Sequence, residues 1–218
     1  MLKIFAKKFF YFPGCLISSV MPEIVENYEQ IFATHKIPYF KLDGVNCCGA
    51  VAYNNGYAGD FNELKTRNLS LFADNKVKLI ATNSGDCMQT FALQYGISVK
   101  HVSQILAQYT DKFPVKYEEE VSIYDSPNLL VYDAPRKILD SIGFEVVELE
   151  RNRENTLLCG AEGGMIQNVF QLANDISKEV FKLCTTKKLI VTDPLAYYHL
   201  KQNAPRNITV LELSEVIV

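Results

Sequence analysis

The sequence predicts an α/β protein made of two pseudo-repeated Rossmann-like halves, each a small parallel sheet flanked by helices. Two observations carry this. Short apolar runs of strand length alternate with longer segments of helical periodicity along the whole chain, the pattern of strands covered by helices. The second half also repeats the first. Leu158-Cys159-Gly160-Ala161 echoes Cys47-Cys48-Gly49-Ala50, Lys188-Leu-Ile-Val-Thr192 echoes Lys78-Leu-Ile-Ala-Thr82, and Val121-Ser-Ile-Tyr124 echoes the opening strand. The offsets stay between 110 and 113 residues. A constant offset marks internal duplication rather than scattered similarity.

Phe9-Phe-Tyr-Phe12 reads as the first strand, stopped by Pro13-Gly14. Pro22 starts a helix over 23–35 with Ile24, Tyr28, Ile31 and Phe32 on one face. Residues 37–42 form the next strand, and Asp43-Gly44 turns the chain toward Cys47-Cys48. After the break at Asn54-Asn55-Gly56 a helix spans 59–74 with Phe61, Leu64, Leu71 and Phe72 inward. Residues 77–82 are a continuous apolar strand, as in a parallel sheet covered on both faces. This strand runs into Asn83-Ser84-Gly85-Asp86-Cys87, a helix through Tyr95, and a short strand and helix over 99–109. In the second half, Ala134-Pro135-Arg136 opens a helix, and 168–184 is a longer amphipathic one.

The domain organisation expected is a first half over 1–112, a linker over 113–120 and a second half over 121–218. Pro114 and the Glu118-Glu119-Glu120 run make the linker polar and solvated.

The chain has 218 residues, is 48% hydrophobic and 22% charged, and carries a net charge of −3. That composition suits a globular protein with a real core. The small negative charge offers no broad attraction to nucleic acid or an anionic membrane. No apolar run reaches the roughly 18–20 residues of a membrane span. The basic start and following apolar stretch resemble an export leader, but Pro13-Gly14 interrupts the run and the repeat needs it as a core strand. A cytoplasmic location follows as an expectation, and there six cysteines point to metal or redox chemistry rather than disulfides.

Four of the six thiols have informative positions. Cys15 follows the first strand, 31 residues separate it from the adjacent pair Cys47-Cys48, and 38 more separate the pair from Cys87. Each falls at the carboxyl end of a strand, where ligands gather in doubly wound sheets. Glycines at these turns let backbone N–H groups reach sulfur. Four thiolates at one point are the ligand set of an iron–sulfur cluster or a zinc ion. Adjacent cysteines fit one small tetrahedral ion poorly and suit a larger target.

Cys15, Cys47-Cys48-Gly49 and Ser84-Gly85-Asp86-Cys87 together resemble the cysteine-rich CCG domain family. That family includes the B-type component of heterodisulfide reductase, the iron–sulfur component of glycolate oxidase and the A-type component of the lactate-utilisation system. One residue departs from the family pattern: Ser84 stands where the family has the first cysteine of a closing C-x-x-C. The resemblance implies that Cys15, Cys47, Cys48 and Cys87 are metal ligands, with Ser84 as a further cofactor-binding candidate or, in the local reading, a helix cap. A serine oxygen is a weaker iron ligand than thiolate, so a four-cysteine [4Fe-4S] cluster is the preferred form, with zinc as the alternative.

Val131 to Arg136 and Cys159 to Gly164 look like the family's second-half signatures. By register the second ligand set is lost: the opening cysteine is replaced near Pro127, the first of the pair is Leu158, and the closing pair falls at Asp193 and Ala196, leaving Cys159 alone. The second half is therefore expected to be a metal-free structural copy.

The resemblance implies an iron–sulfur subunit of a multi-subunit oxidoreductase. It would pass electrons between a flavoprotein or ferredoxin-like iron–sulfur partner and a small 2-hydroxy acid, a disulfide or a quinone, with any membrane association peripheral and through those partners. The alternatives are a non-catalytic assembly or anchoring subunit with a structural zinc or cluster, and a thiol enzyme cycling Cys47-Cys48, which the strain of a vicinal disulfide disfavours. Cys184 reads as a buried hydrophobe, and His35, His101 and His199 as isolated side chains. Gly160 to Gly164 lacks the lysine of a P-loop and does not match G-x-G-x-x-G.

Overall fold

A computed structural model describes residues 8–218. The basic opening stretch, read above against an export leader, lies outside the described residues except for Lys8. The chain divides into two compact units between Val102 and Ser103.

The first unit runs β1 (Phe9–Phe12), α1 (Cys15–Val20), α2 (Pro22–Thr34), β2 (Tyr39–Phe40), α3 (Ala50–Asn54), α4 (Ala58–Asp74), β3 (Ile80–Thr82), α5 (Gly85–Leu93) and β4 (Val99–His101). Its four strands form an all-parallel sheet in the order β2-β1-β3-β4. The central strand β1 is buried on both faces, and its alternation sorts the aromatic residues into two layers. Phe9 and Tyr11 meet Phe32 of α2 edge-on, at 5.6 and 5.1 Å between ring centroids. Phe10 meets Phe72 of α4 at 5.8 Å, and Phe12 meets Phe91 of α5 at 5.0 Å. Each such burial contributes about 1.5–3 kcal/mol relative to exposure.

The face of α2 is the expected one: Ile24, Tyr28, Ile31 and Phe32 are buried. In α4, Phe61 and Phe72 are buried while Leu64 and Leu71 are half-buried, and the inward stripe also carries a polar residue, Asn68. Two strands are shorter than the apolar runs suggest. Residues 37–42 pair only at Tyr39 and Phe40, and 77–82 only at Ile80–Thr82.

α6 (Val102–Leu106) follows β4 directly. The second unit continues with β5 (Glu119–Tyr124), α7 (Asp133–Ser141), β6 (Phe144–Val146), α8 (Met165–Asn168), α9 (Phe170–Leu183), β7 (Lys188–Val191), α10 (Pro194–Asn203), β8 (Thr209–Glu212) and α11 (Leu213–Ile217). The strand order β6-β5-β7-β8, again all parallel, repeats that of the first sheet.

Two expectations change here. Glu119 and Glu120 belong to β5, pairing with Phe144 and Glu145, and Lys188 on the neighbouring strand bonds Glu119 at 2.6 Å. The acidic run is exposed, as a solvated stretch is, yet its last two residues are strand because a partner carries the ladder past the apolar part. The helix expected over 168–184 starts two residues later, as α9, because Val169 (φ −142°) separates it from the short α8. Among the described residues no helix is long and apolar enough to cross a membrane.

Candidate metal centre

Three adjacent parallel strands, β2, β1 and β3, end on the same edge of the first sheet, and each is followed by a thiol-bearing segment. Cys15 opens α1 just past β1. Cys47 and Cys48 lie between β2 and α3. Cys87 sits in the first turn of α5, one turn deeper into the helix than a loop position would be. Ser84 is the N-cap of that helix, its Oγ accepting from the Cys87 N–H at 3.4 Å, which satisfies a donor the helix start leaves open.

The four thiols meet in a chain. The Cys48 and Cys87 sulfurs are 3.1 Å apart, and Cys47 lies near enough to Cys15 and Cys48 for each to shift the acidity of the others. Cys15 is exposed, Cys47 half-buried, and Cys48 and Cys87 buried. The sulfurs touch rather than enclose a space. Among the described residues, no group of three or more His, Cys, Asp or Glu side chains is placed to hold a single metal ion as it stands.

Their acidities are interdependent. Hydrogen bonds from Cys15 and then Cys48, with the Gly49 N–H and the Arg67 charge, push Cys47 down to about 2. Cys15 is pushed up, first because it gives its proton to Cys47, then by burial and by repulsion from its neighbours. Cys48 is pushed up through its bonds with Cys47 and Cys87 and by burial. Several thiolates side by side repel one another, and a cation among them offsets that repulsion. Metal binding, which requires thiolates and releases protons, supplies that cation, so the donor set fits an iron–sulfur cluster chemically.

The backbone around the pair is held by Gly49 of the motif and by Asn68 and Tyr95, to which sequence analysis assigns no role. Gly49 caps α3 with φ 86°, and a Cβ there would lie 2.8 Å from Phe61 Cδ2. The Gly49 N–H donates to Cys47 Sγ at 3.3 Å. Asn68, fully buried, donates through Nδ2 to the Cys47 carbonyl at 2.9 Å and to Tyr95 Oη at 3.1 Å. The Tyr95 hydroxyl donates to the Cys48 carbonyl at 3.0 Å. Burial raises the Tyr95 phenol to about 12, so it stays a neutral donor. The one available signal was a lone asparagine in the inward phase of an otherwise apolar helix face, which a search for hydrophobic periodicity passes over.

The second unit keeps the framework with other chemistry. Gly160 has φ 88° and Cys159 is fully buried, while Leu158, in place of a first cysteine, is exposed. Glu162 accepts from Cys159 Sγ at 3.3 Å and from the Gly160 N–H at 3.2 Å. Burial and then the Glu162 charge push the Cys159 thiol up. Asp193 caps α10, accepting from Leu195 and Ala196 N–H groups at 3.1 and 3.3 Å. Cys184 stands just past α9, half-buried, its thiol 3.5 Å from the Thr186 carbonyl. His101 and His199 are buried against the carbonyls of Asn83 and Ala173, at 2.9 and 3.1 Å. His35 is half-buried at the end of α2.

Residues 9–92 match the family model of the cysteine-rich domain CCG. The B component of the fumarate reductase (CoM/CoB) of Methanothermobacter marburgensis is 26% identical over 205 residues, covering 88% of this chain and 41% of its own. The probable iron-sulfur-binding oxidoreductase FadF of Bacillus subtilis is 34% identical over 131 residues, 54% of this chain and 19% of its own. The D component of the dihydromethanophenazine:CoB--CoM heterodisulfide reductase of Methanosarcina mazei is 26% identical over 202 residues, 79% of this chain and 47% of its own. The chain spans less than half the length of these curated relatives.

Proposed function

From the premise that residues 9–92 are a cysteine-rich CCG domain, we propose that this chain is the iron–sulfur subunit of a multi-subunit oxidoreductase. Cys15, Cys47, Cys48 and Cys87 hold the cluster, a [4Fe-4S] centre in the preferred form. The observation that carries this reading is the mutual contact of thiols brought from three strand ends, with Cys48 and Cys87 sulfurs 3.1 Å apart. The names of the relatives, two reductases and an iron-sulfur-binding oxidoreductase, support the same chemistry.

When bound, the cluster supplies one-electron transfer at a potential set by its charge, hydrogen bonds and exposure. The chain's own residues bind it and shape its surroundings. Cys15 lies at the exposed end of the thiol chain and Cys48 and Cys87 at the buried end, so one side of the centre faces solvent, where a redox partner can approach. Ser84 serves as the cap of α5, its oxygen already engaged by the Cys87 N–H. The partner is a flavoprotein or a ferredoxin-like iron–sulfur subunit, and the terminal substrate a 2-hydroxy acid, a disulfide or a quinone.

The test is iron, zinc and acid-labile sulfide per chain, with the visible spectrum, on protein purified without oxygen. About four irons and four sulfides with a broad brown absorbance are expected for a [4Fe-4S] carrier. One zinc and no colour would replace this reading with the structural assembly subunit. Neither metal would leave only a thiol role.

A further inference from the structure

The hydrogen bonds behind the cysteine pair carry an inference that rests on the cluster reading above. A trans peptide unit is planar, with its C=O and N–H pointing in opposite directions. The peptide joining Cys48 to Gly49 has its oxygen bonded by the Tyr95 hydroxyl at 3.0 Å, and its nitrogen donates to Cys47 Sγ at 3.3 Å. One rigid plane thus links a phenol on one side to a ligand sulfur on the other. The preceding peptide is fixed as well, by Asn68 Nδ2 on the Cys47 oxygen at 2.9 Å, and the same amide nitrogen donates to Tyr95 Oη at 3.1 Å. Asn68 therefore orients the Tyr95 hydroxyl so that its single proton goes to the Cys48 carbonyl.

We propose that Tyr95 and Asn68 are positioning residues that set the reduction potential of the centre by aiming the Gly49 N–H at Cys47 sulfur. An N–H···S bond draws electron density from a ligand sulfur, favours the reduced cluster and raises the potential. All the atoms involved lie within a buried or half-buried part of the first unit, between α4, α5 and the cysteine pair. There an unpaired carbonyl is costly, which keeps both donors engaged, although Asn68 Oδ1 itself has no hydrogen-bond partner among the described residues. Purely apolar residues at 68 and 95 would leave two buried cysteine carbonyls without these donors.

The experiment compares the parent with Tyr95→Phe, which deletes one oxygen and keeps the ring packed against Phe61, Phe72 and Phe91. Both are purified anaerobically, assayed for iron and sulfide, and titrated electrochemically with detection by electron paramagnetic resonance. The variant is expected to keep its iron and to hold its electron about tenfold less tightly, about 59 mV lower for a one-electron couple. An unchanged potential at full iron content overturns the proposal. If the variant loses its iron, the parent decides. In parent protein labelled with 15N-glycine, the reduced cluster should show hyperfine coupling to a glycine amide nitrogen, and its absence overturns the proposal. A parent without iron or sulfide would instead defeat the cluster reading itself, a separate outcome.

Discussion

Gly49 and Gly160, 111 residues apart in a duplicated chain, share one backbone conformation, with φ of 86° and 88°, and their N–H groups donate to different acceptors. Gly49 gives its proton to Cys47 Sγ and Gly160 to the Glu162 carboxylate. Where the first unit has a thiol before the buried cysteine, the second has exposed Leu158, which can accept nothing. Glu162 reaches back to fill that role. One turn thus serves a thiol cluster in one unit and an internal carboxylate in the other.

Gly49→Ala should destabilise the first unit by about 1–3 kcal/mol, because a left-handed φ is strained for alanine and the new Cβ would lie 2.8 Å from Phe61. Chemical unfolding of the parent and the variant checks this, and iron per chain should fall with it. Equal midpoints would show that the turn relaxes freely.

Cys48→Ser should abolish metal binding, since it removes the buried thiol that stands 3.1 Å from Cys87 Sγ in the proposed ligand set. Cys159→Ser should leave the metal content unchanged, because its thiol is engaged by Glu162. Metal analysis of both variants is the check; loss of metal from the Cys159 variant would place the centre wrongly.

Ser84→Ala should cost about 0.5–2 kcal/mol through loss of the α5 cap, with iron per chain and the visible spectrum unchanged. A changed spectrum would make Ser84 a ligand rather than a cap.

Glu162→Ala should destabilise the second unit by about 1–3 kcal/mol. It strips the acceptor from the Gly160 N–H and the buried Cys159 thiol together. Thermal unfolding measures the effect, and a neutral result would mean that water or another acceptor takes the carboxylate's place.

Acid should weaken the second unit through Arg136. Its guanidinium bonds Glu148 at 2.6 Å and Asp125 at 2.7 Å and holds the Glu148 carboxyl below the usual range. A depressed folded value contributes stability that is present above the ordinary glutamate value of about 4.3 and is lost as pH falls through the lowered one. Glu148→Gln should flatten that part of the stability profile. A parallel loss in parent and variant would assign it to other groups.

The sequence by itself determined the class of the fold, the duplication and the positions of the thiols. Apolar periodicity at 24, 28, 31 and 32 marked the buried face of α2, and the glycine turns placed each cysteine beyond a strand. These are local properties, written in spacing. The tertiary structure alone decided how long the strands are, that Glu119 and Glu120 pair within β5, and which groups hold the cysteine pair. Tyr95 reaches the Cys48 carbonyl across 47 positions and Asn68 reaches Tyr95 across 27. A polar side chain inside a core is stable only where a partner waits, and no local pattern says where that partner will be.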